Sequence, residues 1–336
     1  MQQRAGETDQ DETPDGPVLF GRVLDGRGGA RPIGWAEARD WRPAAPGEVL
    51  WLHLCRNDPV LPGWLDSLGL PEPTAELLVG AATRPRAFRE GNALVATLRG
   101  INFNPGAEPE DMVAMHLWSD GARLLTLRRL PLRSPREVLT AIDAGAGPRD
   151  AGSLITALLE SMIAQMGRSI VDMNDEIDRM EEADPDTDTA ALLDKIAMTR
   201  RNCLALKRHM APQHDALEAI AHDAPGWFED HDRREIRESI DRLRRYLDDI
   251  DISKESALVL QDDIRARAVA RSGRTSFLLT VVASVFLPLT FLTGLLGINV
   301  GGIPGAEDPR AFWIVCLICA GVFAVQMVLF WRWKWL

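Results

Sequence analysis

TSFLLTVVASVFLPLTFLTGLLGINVGGIPGA, residues 275–306, contains no charged side chain. Within it Phe277 to Leu296 supplies 20 mostly apolar positions, the length at which an α-helix crosses a hydrocarbon core of about 30 Å. A second apolar stretch, Ala311 to Trp331, follows a short connection rich in Gly and Pro. A buried hairpin of a soluble protein does not call for two uncharged stretches of this length, because core helices usually keep a polar face. Trp331, Trp333 and Trp335 end the second stretch as an aromatic belt does at a membrane interface. Two transmembrane helices are therefore expected, over 275–297 and 311–332, with 298–310 as the loop between them.

The flanking charges orient the pair. Arg265, Arg267, Arg271 and Arg274 precede the first span, Arg332 and Lys334 follow the second, and only Arg310 lies between. Lys and Arg accumulate on the cytoplasmic side of a bilayer. Both termini are thus expected in the cytoplasm, with the protein in the inner membrane and the short loop outside it.

Outward from the spans the texture changes. Residues 1–270 carry 33 basic and 47 acidic side chains, whereas 271–336 carry five and two. An acidic bulk argues against nucleic acid as a partner, since neutralising phosphates requires clustered cations, and it favours cations near the surface. The four cysteines, Cys55, Cys203, Cys316 and Cys319, are too scattered for a disulfide framework and fit a reducing compartment. Residues 1–17 are polar, with no apolar run, and read as a disordered leader.

Residues 18–150 read as a cytoplasmic α/β or α+β domain, a mixed sheet with helices. VLFGRVL at 18–24, EVLWLHL at 48–54, ALVATLRGINF at 93–103, MVAMHLW at 112–118 and RLLTLR at 123–128 have strand character and are separated by turn residues. Residues 151–274 read as a helical stalk, broken at Asp184-Pro185 and at Ala224-Pro225-Gly226 into helices of roughly 153–182, 187–222 and 227 onward. In the third, Ile236, Leu243, Ile250, Ala257 and Ile264 recur every seven residues, joined by Ile240 and Leu247. That is an apolar seam for packing against other helices. With no strong breaker but Gly273 after Phe228, one long helix is expected to run from the stalk into the first span.

Gly297-Ile298-Asn299, followed by Val-Gly-Gly-Ile-Pro-Gly, ends the first of two C-terminal spans and follows a long helix. In that context the tripeptide resembles the Gly-Met-Asn signature of the two-helix CorA-type metal-ion transporters, and its Gly-Ile-Asn form is similar to their ZntB zinc-transporter branch. The resemblance implies a homopentameric funnel with five copies of the first span lining a pore and the second span outside them. Elementary physics also asks for an oligomer, because two helices cannot enclose an aqueous path in a bilayer. Gly297, Ile298 and Asn299 would form the pore mouth. A ring of Asn299 amides can hydrogen-bond the water shell of a hydrated divalent ion without stripping it, and Gly297 would let the backbone turn there.

Stepping inward from Gly294 by four and three residues gives Thr290, Leu287, Ala283, Thr280 and Ser276, a face of hydroxyls and small side chains with Leu287 as a hydrophobic constriction. The face reads as pore lining; close helix packing is the other reading of small residues. Pro288 is expected to kink the helix, its freed carbonyl shielded by a neighbour. Glu307 and Asp308 are the acidic residues of the loop and read either as an attraction for cations or as ordinary solvent-exposed carboxylates. Ile298 in place of Met, and Gly-Gly-Ile-Pro-Gly in place of an acidic stretch, depart from the magnesium pattern. The resemblance thus implies Zn2+ as the transported ion, with Co2+, Ni2+, Cd2+ and Mg2+ as alternatives, and uptake linked to the proton gradient. Within either span, however, the sequence offers no ionisable carboxylate or imidazole for a proton relay.

Zinc prefers Cys and His ligands. Cys316-x-x-Cys319 reads as small apolar packing, and Cys203, His209, His214, His222 and His231 lack zinc-finger spacing, the histidines reading as surface positions. Glu238, Asp262 and Asp263 are candidate carboxylates for a cytoplasmic regulatory ion. No cofactor is expected, and no nucleophile, base and orienter fall together as an enzyme requires. Two other readings stand beside zinc transport: a Mg2+ or Co2+ channel gated by cytoplasmic metal, and a membrane-anchored scaffold without flux.

Overall fold

The computed structural model describes residues 16–108, 110–183, 188–298 and 308–333. The chain divides into two compact units, the first ending at Gln261 and the second beginning at Asp262.

In the first unit seven strands form one mixed sheet. They are β1 (Val18–Leu24), β2 (Ala30–Pro32), β3 (Val49–Cys55), β4 (Arg86–Glu90), β5 (Ala93–Gly100), β6 (Val113–Ser119) and β7 (Arg123–Arg128), in the order β2-β1-β3-β7-β6-β5-β4. β3 and β7 pair in parallel and every other neighbouring pair is antiparallel. Helices cover both faces, so the central strands bury alternate side chains into two different cores, and β3 is buried at six of its seven positions. One core gathers Leu50, Leu52, Leu54, Leu125 and Leu127 with side chains of α2 (Leu61–Ser67) and α3 (Glu72–Val79). The other gathers Trp51, Leu94, Ala96, Leu98, Met115 and Leu117 with residues of α4 (Arg133–Asp143), α5 (Ala151–Glu181), α6 (Thr189–His222) and α7 (Asp230–Leu296). A four-residue helix, α1 (Trp35–Ala38), completes the β side, where Trp35 meets Trp64 edge to face.

The edge strands β2 and β4 were not expected from the sequence. β4 is Arg-Ala-Phe-Arg-Glu and largely exposed, and an edge strand that carries charge resists pairing with another chain but loses the apolar signature of a strand.

The three long helices obey local rules. Asp150 caps α5 in a reciprocal box with Ser153, and Asp188 caps α6 by accepting from the Ala190 N–H. The seven-residue seam of α7 is buried at Ile236, Leu243, Ile250 and Ala257. α5 approaches α7 closely at two glycines: a Cβ on Gly152 would collide with the Asp232 carboxylate, and one on Gly167 with the Tyr246 hydroxyl. Lys207 of α6 pairs with Asp251 of α7, and that hydrogen bond holds the Asp251 carboxyl below its usual range.

Two histidines that the sequence presents as ordinary strand residues lie inside the sheet layers. His53 Nε2 accepts from Arg128 Nε at 3.0 Å, and its Nδ1 faces Thr126 Oγ1 at 2.9 Å. His116 lies between Arg56 Nη1 and Thr97 Oγ1. Burial, with Arg56 and Arg86 adding to it, lowers the His116 pKa from 6.5 to about 4. Burial of His209, with Arg99 and Arg208 nearby, lowers it likewise to about 4, so His209 is not the ordinary surface histidine that its sequence context suggests. These groups bind protons more readily unfolded than folded, so their stabilisation is complete above pH 6.5 and is lost as the pH falls towards about 4. Thermal unfolding of the full chain followed by tryptophan fluorescence is expected to show a midpoint that drops across this window. His116→Gln should flatten the drop; an unchanged slope would remove His116 from the cause.

Among the described residues three helices are long and apolar enough to cross a membrane: α5, α7 and α8 (Ala311–Arg332). The apolar window of α5 is 61% buried within the protein, whereas those of α7 and α8 are 0% buried. The apolar surface of α5 is thus used by the core, while that of α7 and α8 is left facing outward.

Candidate ion path

The second unit consists of the end of α7 and α8. Helix α7 continues without interruption through Pro288 to Leu296. Among its residues in the apolar stretch, Val281, Ser284, Val285, Leu289 and Leu292 are half-buried, and on α8 the shielded stripe is Ala311, Val315, Cys319, Val322, Gln326 and Phe330. Spacings of three and four place each set on one helical face. A hydrogen bond from Gln326 Nε2 to the Ser284 carbonyl, 3.1 Å, joins them.

Ser276, Thr280, Ala283, Leu287, Thr290 and Gly294 are all exposed, Leu287 at 73%. At 3.6 residues per turn, this face and the one covered by α8 are centred roughly 150° apart around the axis. The Thr280 hydroxyl donates to the Ser276 carbonyl at 2.8 Å, so its oxygen turns lone pairs outward, suited to water bound to a cation. Every one of these residues is uncharged.

The helix ends at the motif. Gly297 N–H bonds the Thr293 carbonyl at 2.9 Å and approaches that of Gly294 at 3.2 Å. Gly297 forms the turn that closes the helix, and it does so without a left-handed φ. A Cβ at this position would sit 3.1 Å from the Thr293 carbonyl oxygen, a tight approach. Ile298 is 47% exposed. Asn299 and Glu307 lie outside the described residues. Asp308 Oδ1 accepts from the Arg310 N–H at 2.8 Å at the entry to α8.

The other candidates are dispersed. Glu238, Asp262 and Asp263 are exposed, and Asp263 pairs with Arg267. Among the described residues, three metal-capable side chains come together at His214, Asp215 and Glu218, not at those carboxylates. His214 Nδ1 is 3.8 Å from Asp215 and its Nε2 is 3.9 Å from Glu218, beside a groove that His222 and Ile240 also line. An H-D-x-x-E spacing on a helix was the available signal for this group. Cys203 is buried with its sulfur 3.4 Å from that of Met173, and burial pushes its thiol up to about 11, so it has the character of a core residue. Cys316 and Cys319 are free thiols.

A soluble α+β unit with a mixed sheet and long helices, followed by apolar helices of membrane-spanning length, is the architecture of a membrane protein with a large water-facing portion. Residues 46–332 match the family described as CorA-like Mg2+ transporter protein, and the chain belongs to it. It is 38% identical over 322 residues to the divalent cation transporter CmaX of Pseudomonas aeruginosa, covering 95% of this chain and 97% of that one. It is 35% identical over 321 residues to the zinc transport protein ZntB of Pectobacterium carotovorum, covering 93% and 94%. The solved structure of full-length CmaX superposes with a TM-score of 0.83 at 37% identity, covering 96% of this chain and 100% of that one.

Proposed function

We propose that this chain is one subunit of a homopentameric inner-membrane transporter of divalent cations, with Zn2+ as the favoured cargo. In this reading both termini are cytoplasmic, 18–150 and 151–274 form the water-facing part, 275–297 lines the pore, 298–310 is the outer loop and 311–332 is the lipid-facing helix. Gly297, Ile298 and Asn299 form the mouth, and Ser276, Thr280, Ala283, Leu287, Thr290 and Gly294 line the path, narrowest at Leu287. Glu307 and Asp308 draw cations to the loop. No cofactor takes part, and the activity is transport, not catalysis.

The carrying observation is the opposition of faces on α7: α8 covers one side, and the hydroxyl and small-residue side lies roughly opposite. In a bilayer that uncovered polar face requires water or other copies of itself beside it. Zinc as cargo is supported by relatives named for zinc transport and by the departures of the loop from the magnesium pattern. A Mg2+ or Co2+ channel is the second reading, favoured by the description of the family.

Purified protein reconstituted in liposomes is expected to take up Zn2+ faster than Mg2+ or Co2+, and faster with an inward proton gradient than without one. Uptake of Mg2+ or Co2+ in preference to Zn2+ would select the second reading. Absence of flux for all three ions from folded protein would overturn transport.

A further inference from the structure

An α-helix bonds the N–H of each residue to the carbonyl four residues earlier. Proline has no N–H, so Pro288 leaves the Ser284 carbonyl without its helical donor. A bare peptide carbonyl is costly where no water can reach it. Gln326 Nε2 lies 3.1 Å from that oxygen. The carbonyl can only accept, so the NH2 end of the side chain must be the one that faces it. Gln326 is also the one amide side chain within α8, a helix otherwise built from apolar and small residues up to Arg332. Its Oε1 is buried without a hydrogen-bond partner among the described residues. An amide in that position therefore carries a desolvation cost at one end, offset by what its other end does for Ser284.

We propose that Gln326 is a positioning residue of the ion path: its amide supplies the hydrogen bond that Pro288 cannot, and so holds on α8 the turn of α7 that carries Leu287. Leu287 immediately precedes the proline, and Thr290 follows within one turn. A proline inside a helix permits bending at that point, so a donor anchored on the neighbouring helix sets where the narrowest part of the path lies. The functional consequence rests on the transport reading above; the hydrogen bond itself does not.

A double-mutant cycle in the full chain, reconstituted in liposomes, tests it with Gln326→Leu, Pro288→Ala and the pair together. Gln326→Leu removes the donor at similar volume, while Pro288→Ala returns a backbone N–H to the Ser284 carbonyl. Gln326→Leu in the natural background is expected to change Zn2+ flux by about threefold to thirtyfold, the range for an interhelical hydrogen bond in a membrane, and to lower the unfolding midpoint. In the Pro288→Ala background the same change should alter both by less than about twofold or by a correspondingly small shift. Equal effects in the two backgrounds, or no effect in either, would overturn the proposal. Should the unmutated protein carry no ion at all, transport fails as a reading, and the midpoints of the four proteins still decide whether Gln326 stands in for the missing N–H.

Discussion

Replacing Asn299 by alanine is expected to lower Zn2+ flux in liposomes by roughly ten- to a hundredfold while leaving assembly and unfolding midpoint unchanged. The reason lies in what a divalent ion needs at a pore mouth. Stripping its water shell is expensive, and binding at the mouth must be strong enough for the ion to enter yet weak enough for it to leave. Neutral amide oxygens accept hydrogen bonds from the bound water and so steady the intact shell. A hydrogen bond to a charged species contributes about 1.5–3 kcal/mol, and that range is roughly ten- to a hundredfold in a binding or rate constant. Alanine removes the acceptor and adds no charge, so selectivity among divalent ions should weaken along with rate. Undiminished flux through Asn299→Ala would remove the motif from the path and leave the exposed face of α7 to account for selection alone.

Leu243→Ala is expected to be the most destabilising of the simple truncations in the first unit. Leu243 lies at the middle of the α7 seam with 0% exposure, in the core that also takes in Met162, Leu206 and Met210 from α5 and α6. A buried leucine cut to alanine loses about 2–5 kcal/mol, from lost transfer energy and from the cavity left behind. For a unit of this size that corresponds to a fall of roughly 4–20 °C in the unfolding midpoint. Leu260→Ala, at 9% exposure beyond that cluster, is the internal comparison and should cost less. A midpoint that moves equally for both would mean that the seam does not organise the helical layer.

Much of the fold was legible because its signals are local and repeated. The apolar runs at 48–54 and 123–128 between turn residues, the seven-residue spacing from Ile236 to Ala257 and the breaks before α6 and α7 are each local to one element and need no knowledge of its neighbours. The apolar lengths at 275–297 and 311–332 were readable for the same reason. The candidate site was legible as a pattern of residue types on one helical face, and the family motif gave that pattern a direction. Less visible were β4, whose charged edge hides its strand character, and His209, His53 and His116, whose pKa values are lowered first by burial and then by arginines up to 110 positions away in the case of His209 and Arg99.

By itself, then, the sequence determined where the central strands and the long helices lie, which segments are apolar enough for a bilayer, and which face of α7 carries hydroxyl and small side chains. Only the tertiary structure decided how those surfaces are used. α5 and α7 both have the length and apolarity of a span, yet one is 61% buried in the protein and the other 0%. Ser284 finds its donor 42 residues away on α8. The physical reason is common to these cases. Periodicity encodes an element's own shape, whereas burial, pairing and the replacement of a missing backbone donor are properties of two surfaces that meet only after the chain has folded.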